Sequence, residues 1–309
     1  MRQVTRGEEK GIYNQRELDV IVQEVLISPE CVKDSEHIGI VTPYRKQADE
    51  AGKLVSNGVE SDTVHKYQGR EKDIMIMSTV LSGPRGTSGL KFVDDPHMVN
   101  VAVSRAIQQF ILVTDYELFY KKGKHIGDLI RYIQYSTLDQ NVIESKIVSI
   151  FDLLYRSYSQ RLLQYKMKME PDAQYQSEEA LRVLLNDILH EEEFDCFGYV
   201  QGMLLRNLLN DTALLSEAEL NFVNNRASLD FVVFYKQDKA CVLVIEVDGF
   251  AFHENNPRQL QRDQMKDHIL QKYDICILRL PTNGSGEAEK IRTALRKCMA
   301  FCSDIEISE

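Results

Sequence analysis

The 309-residue sequence has no C-x-x-C spacing, no apolar run long enough to cross a membrane, no secretory leader, no internal repeat and no low-complexity tract. Its six cysteines (Cys31, Cys196, Cys241, Cys276, Cys298 and Cys302) are scattered along the chain. That scatter excludes a disulfide framework or a paired-cysteine zinc site and leaves them as reduced side chains. With neither span nor leader, the default expectation is a cytoplasmic protein without a membrane partner. An excess of basic charge is also missing, since the net charge is −10. A generally basic coat is therefore excluded, while a local basic groove on an acidic protein is not. What remains, 43% apolar and 27% charged residues, is ordinary globular composition at a length that suits two domains.

One further absence bears on chemistry. No G-x-x-x-x-G-K-S/T run occurs anywhere, and no strand ending in an acidic pair precedes residue 42. The backbone cradle for nucleotide phosphates and the site for their Mg²⁺ are thus absent, and this chain alone is not expected to hydrolyse ATP.

The most informative stretch is Val242-Leu243-Val244-Ile245-Glu246-Val247-Asp248-Gly249. A β-branched and aliphatic run of this kind predicts a buried strand, yet it carries two carboxylates at alternate positions. Side chains two apart share a face, so Glu246 and Asp248 leave the strand's C-terminal end together, and Gly249 lets the chain turn. Buried carboxylates need a cation or donors. A hard divalent ion, Mg²⁺ or Mn²⁺, suits oxygen ligands and keeps several waters.

Just upstream, residues 229–235 predict a second strand, joined through the polar turn Lys236-Gln237-Asp238-Lys239. A hairpin brings Asp230 to the same end as Glu246. Residues 261–273 predict a helix carrying Arg262, Asp263, Lys266 and Asp267 at helical spacing, and residues 275–280 a further strand. Taken singly, Asp230 and Asp248 also suit turn caps, and Arg262 with Lys266 a solvated helix face.

In their order, Asp230, Glu246-x-Asp248-Gly249, His253, Arg262-Asp263-x-x-Lys266 and Arg279 resemble the PD-(D/E)xK nuclease superfamily, more narrowly its Vsr-like endonuclease branch. The resemblance covers the last third of the chain and implies a restriction-endonuclease-like α/β fold. It also implies Mg²⁺-dependent phosphodiester hydrolysis with Asp230 and Glu246 as metal ligands and the Val247 carbonyl as a further one. The superfamily pattern places Lys where this chain has Asp248. Either Lys266 supplies the missing positive charge from the following helix, or His253 acts as base. A further acid is expected on a helix opened by Ser177-Glu178-Glu179, with Ser177 as N-cap and Glu179 as the metal-side candidate ahead of Glu178. Charge complementing the helix dipole explains the same pair.

The N-terminal part alternates strands and helices: an amphipathic helix over residues 14–26, a strand at 38–41, a helix, strands at 74–78 and 110–115. This order predicts a parallel sheet with helices on its faces. Thr42-Pro43-Tyr44-Arg45-x-Gln47, Thr63-Val64-x-x-x-Gln68-Gly69-x-Glu71 and Asn100-Val101-Ala102-Val103-Ser104-Arg105-Ala106 resemble motifs IV, V and VI of a superfamily 1 helicase of the Upf-like kind. The resemblance implies a second RecA-like domain over residues 1–120. Arg45 and Arg105 would contact the nucleotide γ-phosphate, with Gln68, Gly69 and Glu71 lining the nucleotide side or coupling it to the bound strand. Thr63 and His65 would lie near the nucleic-acid backbone.

Residues 121–172 read as a mostly helical linker, and Pro171-Asp172-Ala173 opens the nuclease-like part, 173–309. Basic and aromatic side chains interleave from Tyr155 to Lys168, which suits either a solvated connector or a single-strand track. The combined expectation is an α/β protein that forms the C-terminal portion of a DNA helicase-nuclease. RNA is the alternative substrate, ATP enters only in the complete protein, and a first RecA-like domain is supplied in cis or in trans. The rival expectation is a nuclease fold without chemistry, serving to bind or dock nucleic acid.

Overall fold

The computed structural model describes residues 4–5, 11–29, 31, 37–55, 58–67, 69–83, 88–138, 140–154, 159–209, 211–249 and 257–306, the side chains of 4, 5, 257–259 and 300–306 excepted. The chain forms two compact units, Met1–Val148 and Ser149–Glu309.

The first unit opens with a two-residue ribbon, β1 (Val4–Thr5) and β2 (Ile12–Tyr13), and continues into helix α1 (Gln15–Val20). Asn14 caps that helix by accepting from the Glu17 N–H, and the helix runs on as a π-helical turn over Ile21–Val25. Next come β3 (Ile38–Thr42), α2 (Arg45–Leu54), β4 (Glu60–Thr63) and β5 (Lys72–Ser78). The unit closes with α3 (Leu90–Val93), α4 (Pro96–Ser104), β6 (Ala106–Val113), α5 (Tyr116–Lys122) and α6 (His125–Thr137).

The four longer strands make one parallel sheet in the order β4-β3-β5-β6. Alternation along β5 explains its central place. Met75 and Met77 join Ala102, Phe119 and Ile126 in one core, while Ile74 and Ile76 join Leu18, Ile21 and Ala51 in the other. Strand β6 begins directly after Arg105, earlier than the pattern predicts, and Asp115 is the N-cap of α5 rather than a strand end.

In the second unit, α7 (Leu163–Lys168) and α8 (Gln176–Ile188) precede β7 (Phe197–Leu204). Then follow α9 (Leu205–Leu208), α10 (Glu217–Asn224), β8 (Ser228–Tyr235) and β9 (Cys241–Asp248). Helix α11 (Pro257–Lys272), β10 (Ile277–Pro281) and α12 (Glu287–Glu306) complete the unit. The sheet order is β10-β9-β8-β7, with β7, β8 and β9 antiparallel and β10 parallel to β9. On one face Val232 and Val244 pack against Ile269 and Leu270 of α11. Helix α12 packs on β9 and on α8.

The two units divide the span expected to be a free linker. Ile126 and Ile130 of α6 belong to the first unit's core, whereas the Glu287 carboxylate accepts from Ser149 Oγ at 2.9 Å and the Ile150 N–H at 3.0 Å inside the second. Ser177 does not cap α8: the helix starts at Gln176 after Tyr175, with no side-chain cap. Part of the basic and aromatic stretch, residues 155–158, lies outside the described residues.

Candidate functional site

In the second unit, the hairpin ladder runs to Phe231 opposite Ile245 and ends there. Beyond that pair the two carboxylates take over the main-chain hydrogen bonding. Asp230 Oδ2 accepts from the Val247 N–H at 2.8 Å, and Glu246 Oε1 accepts from the Asp230 N–H at 3.3 Å. Both acids stand beside Val232 and Val244 in strand alternation, on the face that α11 covers. Helix α11 delivers Lys266, whose Nζ lies 2.5 Å from Glu246 Oε2. Burial pushes the Glu246 carboxyl above its ordinary range, with the Asp230 charge adding to it and Lys266 opposing it. Burial also raises Asp230. Lys266 is the cation beside this pair, and burial outweighs it at both carboxyls.

Asp248 shares the strand face and adds its charge to the rise of Asp230, while its own ion pair is with Arg279. Arg279 of β10, in register with Glu246, reaches Asp248 Oδ1 at 2.7 Å and Asp267 Oδ1 at 2.7 Å. It also donates to the Asp263 carbonyl at 3.3 Å. One guanidinium thus ties the end of β9 to two turns of α11 and fixes the helix rotation that brings Lys266 inward.

The first-turn acids of α8 separate. Glu179 is only 4% exposed and makes a bidentate pair with Arg182 at 2.6 and 2.7 Å, while also accepting from the Glu170 N–H. It is therefore a structural acid, against the sequence expectation. Its neighbour Glu178 accepts from Gln201 Nε2 at 3.1 Å, and its carboxyl is raised by burial, with the charge of Asp230 adding to the rise. Glu178 is the one on the Asp230 side. Gln201 was missed in the sequence, where a polar residue amid Gly198-Tyr199-Val200 is the only signal. Gly202, opposite Asp230 in the β7–β8 register, holds φ +68 with open space where a Cβ would stand. His253 lies outside the described residues. Among the described residues no group of three or more His, Cys, Asp or Glu is set to hold a metal ion, so Asp230 and Glu246 form a pair.

In the first unit, the motif residues occupy opposite ends of the parallel sheet. Arg45, following β3, pairs with Asp62 Oδ1 at 2.6 Å and reaches Thr63 Oγ1 at 3.3 Å, where β4 ends. Arg105 precedes β6; its carbonyl accepts from the Lys72 N–H at 3.0 Å where β5 begins, and its side chain lies 3.5 Å from Glu71. β5 has seven residues, and strands rise about 3.3 Å per residue, so these ends are about 20 Å apart. The two arginines do not converge on one phosphate, which corrects the expectation that both touch the γ-phosphate. Gly69 turns at φ +85 beside Glu71, and Gln68 lies outside the described residues.

A buried polar network at the C-terminal end of β5 was not anticipated. Glu17, fully buried, accepts from Ser78 Oγ at 2.5 Å and the Val80 N–H at 2.8 Å. Gln47 Nε2 donates to Ser78 Oγ at 2.8 Å, and Asn14 Nδ2 to the Val80 carbonyl at 2.9 Å. Burial raises the Glu17 carboxyl to about 7. A polar Asn-x-x-Glu at the start of an amphipathic helix is the sequence signal, and it reads equally as a surface cap.

Among the described residues no helix is long and apolar enough to cross a membrane. Residues 1–117 match the AAA domain family, and residues 175–298 match a family described as proteins of unknown function, DUF2726. Over 114 residues the chain is 37% identical to the human DNA replication ATP-dependent helicase/nuclease DNA2, covering 36% of this chain and 10% of that protein. It is 39% identical over 97 residues to the regulator of nonsense transcripts 1 homolog of Drosophila melanogaster, covering 28% of this chain and 8% of that protein. Helicase sen1 of Schizosaccharomyces pombe is 31% identical over 128 residues, covering 36% and 8%. The chain thus spans about a tenth of the relatives it matches. A parallel four-stranded sheet with helices on both faces fits a RecA-like domain, and the AAA match and these relatives support a likeness of the first unit to the C-terminal region of superfamily 1 helicases.

Proposed function

We propose that the second unit is a restriction-endonuclease-like domain that hydrolyses phosphodiesters of DNA with a divalent metal, and that the first unit is half of an ATP-driven motor acting on the same nucleic acid. The observation that carries the nuclease reading is the convergence of Asp230, Glu246 and Lys266 from two adjacent strands and the helix covering them. Acidic oxygens without nitrogen or sulfur donors suit Mg²⁺ or Mn²⁺, with the Val247 carbonyl and water completing the shell. Burial raises both carboxyls even with Lys266 beside them, and a divalent ion bound there would favour their charged forms.

When bound, such an ion supplies Lewis-acid polarisation of the phosphate. The chain supplies the rest. Lys266 holds a positive charge beside Glu246, where it orients the attacking water and offsets charge developing on the phosphate. Glu178, its carboxyl raised by burial, stands on the Asp230 side and accepts from Gln201. Arg279 pairs with Asp248 and ties the end of β9 to α11, the helix that carries Lys266. On the motor side, Arg105, Glu71 and Gly69, with Gln68, form the nucleotide-facing edge, while Arg45, Asp62 and Thr63 face the nucleic-acid strand. ATP binding requires a first RecA-like domain, in cis or in trans, because this chain has no phosphate-cradling motif.

One observation favours the rival reading of a docking module without chemistry. Lys266 already neutralises Glu246, and Asp248 stands where the superfamily pattern has Lys. The test is cleavage of single-stranded, duplex and forked DNA with Mg²⁺ or Mn²⁺ and no ATP, comparing the chain with Asp230→Ala and Glu246→Ala. Metal-dependent cutting lost in both variants supports the nuclease. Intact folding and DNA binding without cutting support the docking module.

A further inference from the structure

We infer that the hairpin of α5 and α6 in the first unit is a separate contact for the unpaired bases of a single nucleic-acid strand. Its residues belong neither to the Arg45–Thr63 edge nor to the Arg105–Glu71 edge of the sheet. Sequence dictates the geometry. Gly123 and Gly127 stand where an added Cβ would lie 2.6 and 2.9 Å from the Phe119 carbonyl oxygen, so the two helices close tightly on each other. Their inner side buries Leu118, Phe119, Ile126 and Ile130.

The outer side is built differently from an ordinary solvated face. The Tyr116 and Tyr120 rings stack at 4.9 Å with 16° between their planes, and the Arg131 guanidinium lies 5.1 Å from the Tyr120 centroid. Gln134 Nε2 donates to Tyr116 Oη at 3.4 Å. On the same hairpin Tyr132 and Tyr135 are 67% and 82% exposed, and Tyr116 keeps 38% of its surface open. A lone exposed aromatic is unremarkable. Here a stacked pair and two solvent-open rings share one short hairpin.

Charge selects the occupant. Between residues 116 and 138, four cations (Lys121, Lys122, Lys124 and Arg131) face two carboxylates, Glu117 and Asp128, on a chain whose net charge is −10. The carboxylates already pair with Lys121 and Arg131, and Lys122 and Lys124 stand exposed. Tyrosine rings and exposed lysines on one hairpin match a strand whose bases offer π-faces and whose phosphates offer negative charge. A duplex keeps its base faces inside the stack and cannot use the tyrosines in this way.

The sequence contains no tryptophan, so Tyr135→Trp places a single indole reporter on the face. The experiment titrates that variant with fluorescein-free oligothymidylate in EDTA, reading indole emission, and in parallel reads anisotropy of a labelled copy of the same strand. EDTA removes metal-dependent cutting, so the result stands apart from the fate of the nuclease proposal. The expected result is saturable quenching by the single strand and not by duplex. Adding Lys122→Glu and Lys124→Glu should weaken the quenching transition about tenfold and flatten its dependence on log salt by about 1.4, two single-strand phosphate contacts' worth. Replacing Tyr132 and Tyr116 with Leu should weaken it about tenfold again, one stacked base's worth. Unchanged emission while anisotropy shows full binding overturns the inference, as does an absence of binding or equal quenching by duplex. An emission change that follows protein concentration without DNA overturns it in favour of a face between two copies of the chain.

Discussion

Lys266 Nζ and Glu246 Oε2 are 2.5 Å apart, with the two side chains only 10% and 5% exposed. A buried pair of this kind is costly to break from one side, because the survivor keeps its desolvation penalty. Lys266→Met should therefore destabilise the chain by about 3 kcal/mol and abolish metal-dependent cleavage. Lys266→Met combined with Glu246→Leu should recover stability and stay inactive. Urea denaturation beside a cleavage assay separates the two, and a fully active Lys266→Met protein would remove the ammonium from the proposed chemistry.

Metal binding should itself be visible in stability. A ligand at a hundred times its Kd adds about 2.7 kcal/mol to the folded state, which scans as a rise of several degrees in Tm. Mn²⁺ should give this rise in the parent chain and none in Asp230→Asn, whose fold is kept because the amide oxygen can still accept from the Val247 N–H. An equal rise in both proteins would place the ion elsewhere.

The neighbouring acids Glu178 and Glu179 should divide cleanly. Glu179→Gln breaks a bidentate Arg182 pair and the bond to the Glu170 N–H, a loss of about 1–3 kcal/mol, with cleavage per folded molecule unchanged. Glu178→Gln should leave stability almost untouched and lower the cleavage rate. The reverse pattern would restore Glu179 to the site.

The sequence shows this site in part, for a definite reason. Asp230 and Glu246 were legible because a carboxylate in an aliphatic strand run breaks the pattern, and the hairpin follows from the short polar turn, but the register that brings them together depends on a shift between Val233 and Phe234 that the turn does not encode. The facing of Lys266 depends on helix rotation, which Arg279 sets through Asp267 and Asp248 across the fold. Nothing local encodes that. The choice between Glu178 and Glu179 turns on which of two adjacent side chains Arg182 captures, three residues further along the helix. The N-terminal strands and helices were legible from their periodicity, and the opposite strand ends held by Arg45 and Arg105 follow from it, because in a parallel sheet one residue follows its strand and the other precedes its own.

That separation of the arginines has its own consequence. Arg105→Ala should abolish ATP-dependent activity once a first RecA-like domain is present, and leave the affinity for single-stranded DNA unchanged without nucleotide. Arg45→Ala removes a partner of Asp62 and Thr63 at the far edge and should weaken nucleic-acid binding without nucleotide. Equilibrium binding of the two variants by anisotropy tests this, and equal losses would place both on one ligand.

Glu17 should make the first unit's stability depend on pH in an unusual direction. Burial raises its carboxyl from 4.5 to about 7, against the bonds from Ser78, Val80 and Thr79 that favour the charged form. A carboxyl whose folded value lies above its unfolded one binds its proton more tightly when folded. Its contribution is fully present below about pH 4.5 and is lost progressively as pH rises to about 7. Between those limits only the folded state holds the proton, so stability falls with pH, by an amount on the order of 3 kcal/mol across the window. Glu17→Gln cannot titrate and should flatten this slope in urea denaturation between pH 5 and 7, while Gln47 and Asn14 keep their bonds to Ser78 and Val80. Glu17→Ala should flatten it too, but at lower stability throughout, because Ser78 and the Val80 N–H lose their buried acceptor. A slope unchanged in Glu17→Gln would mean that another group carries the pH dependence and that Glu17 is ionised in the folded chain.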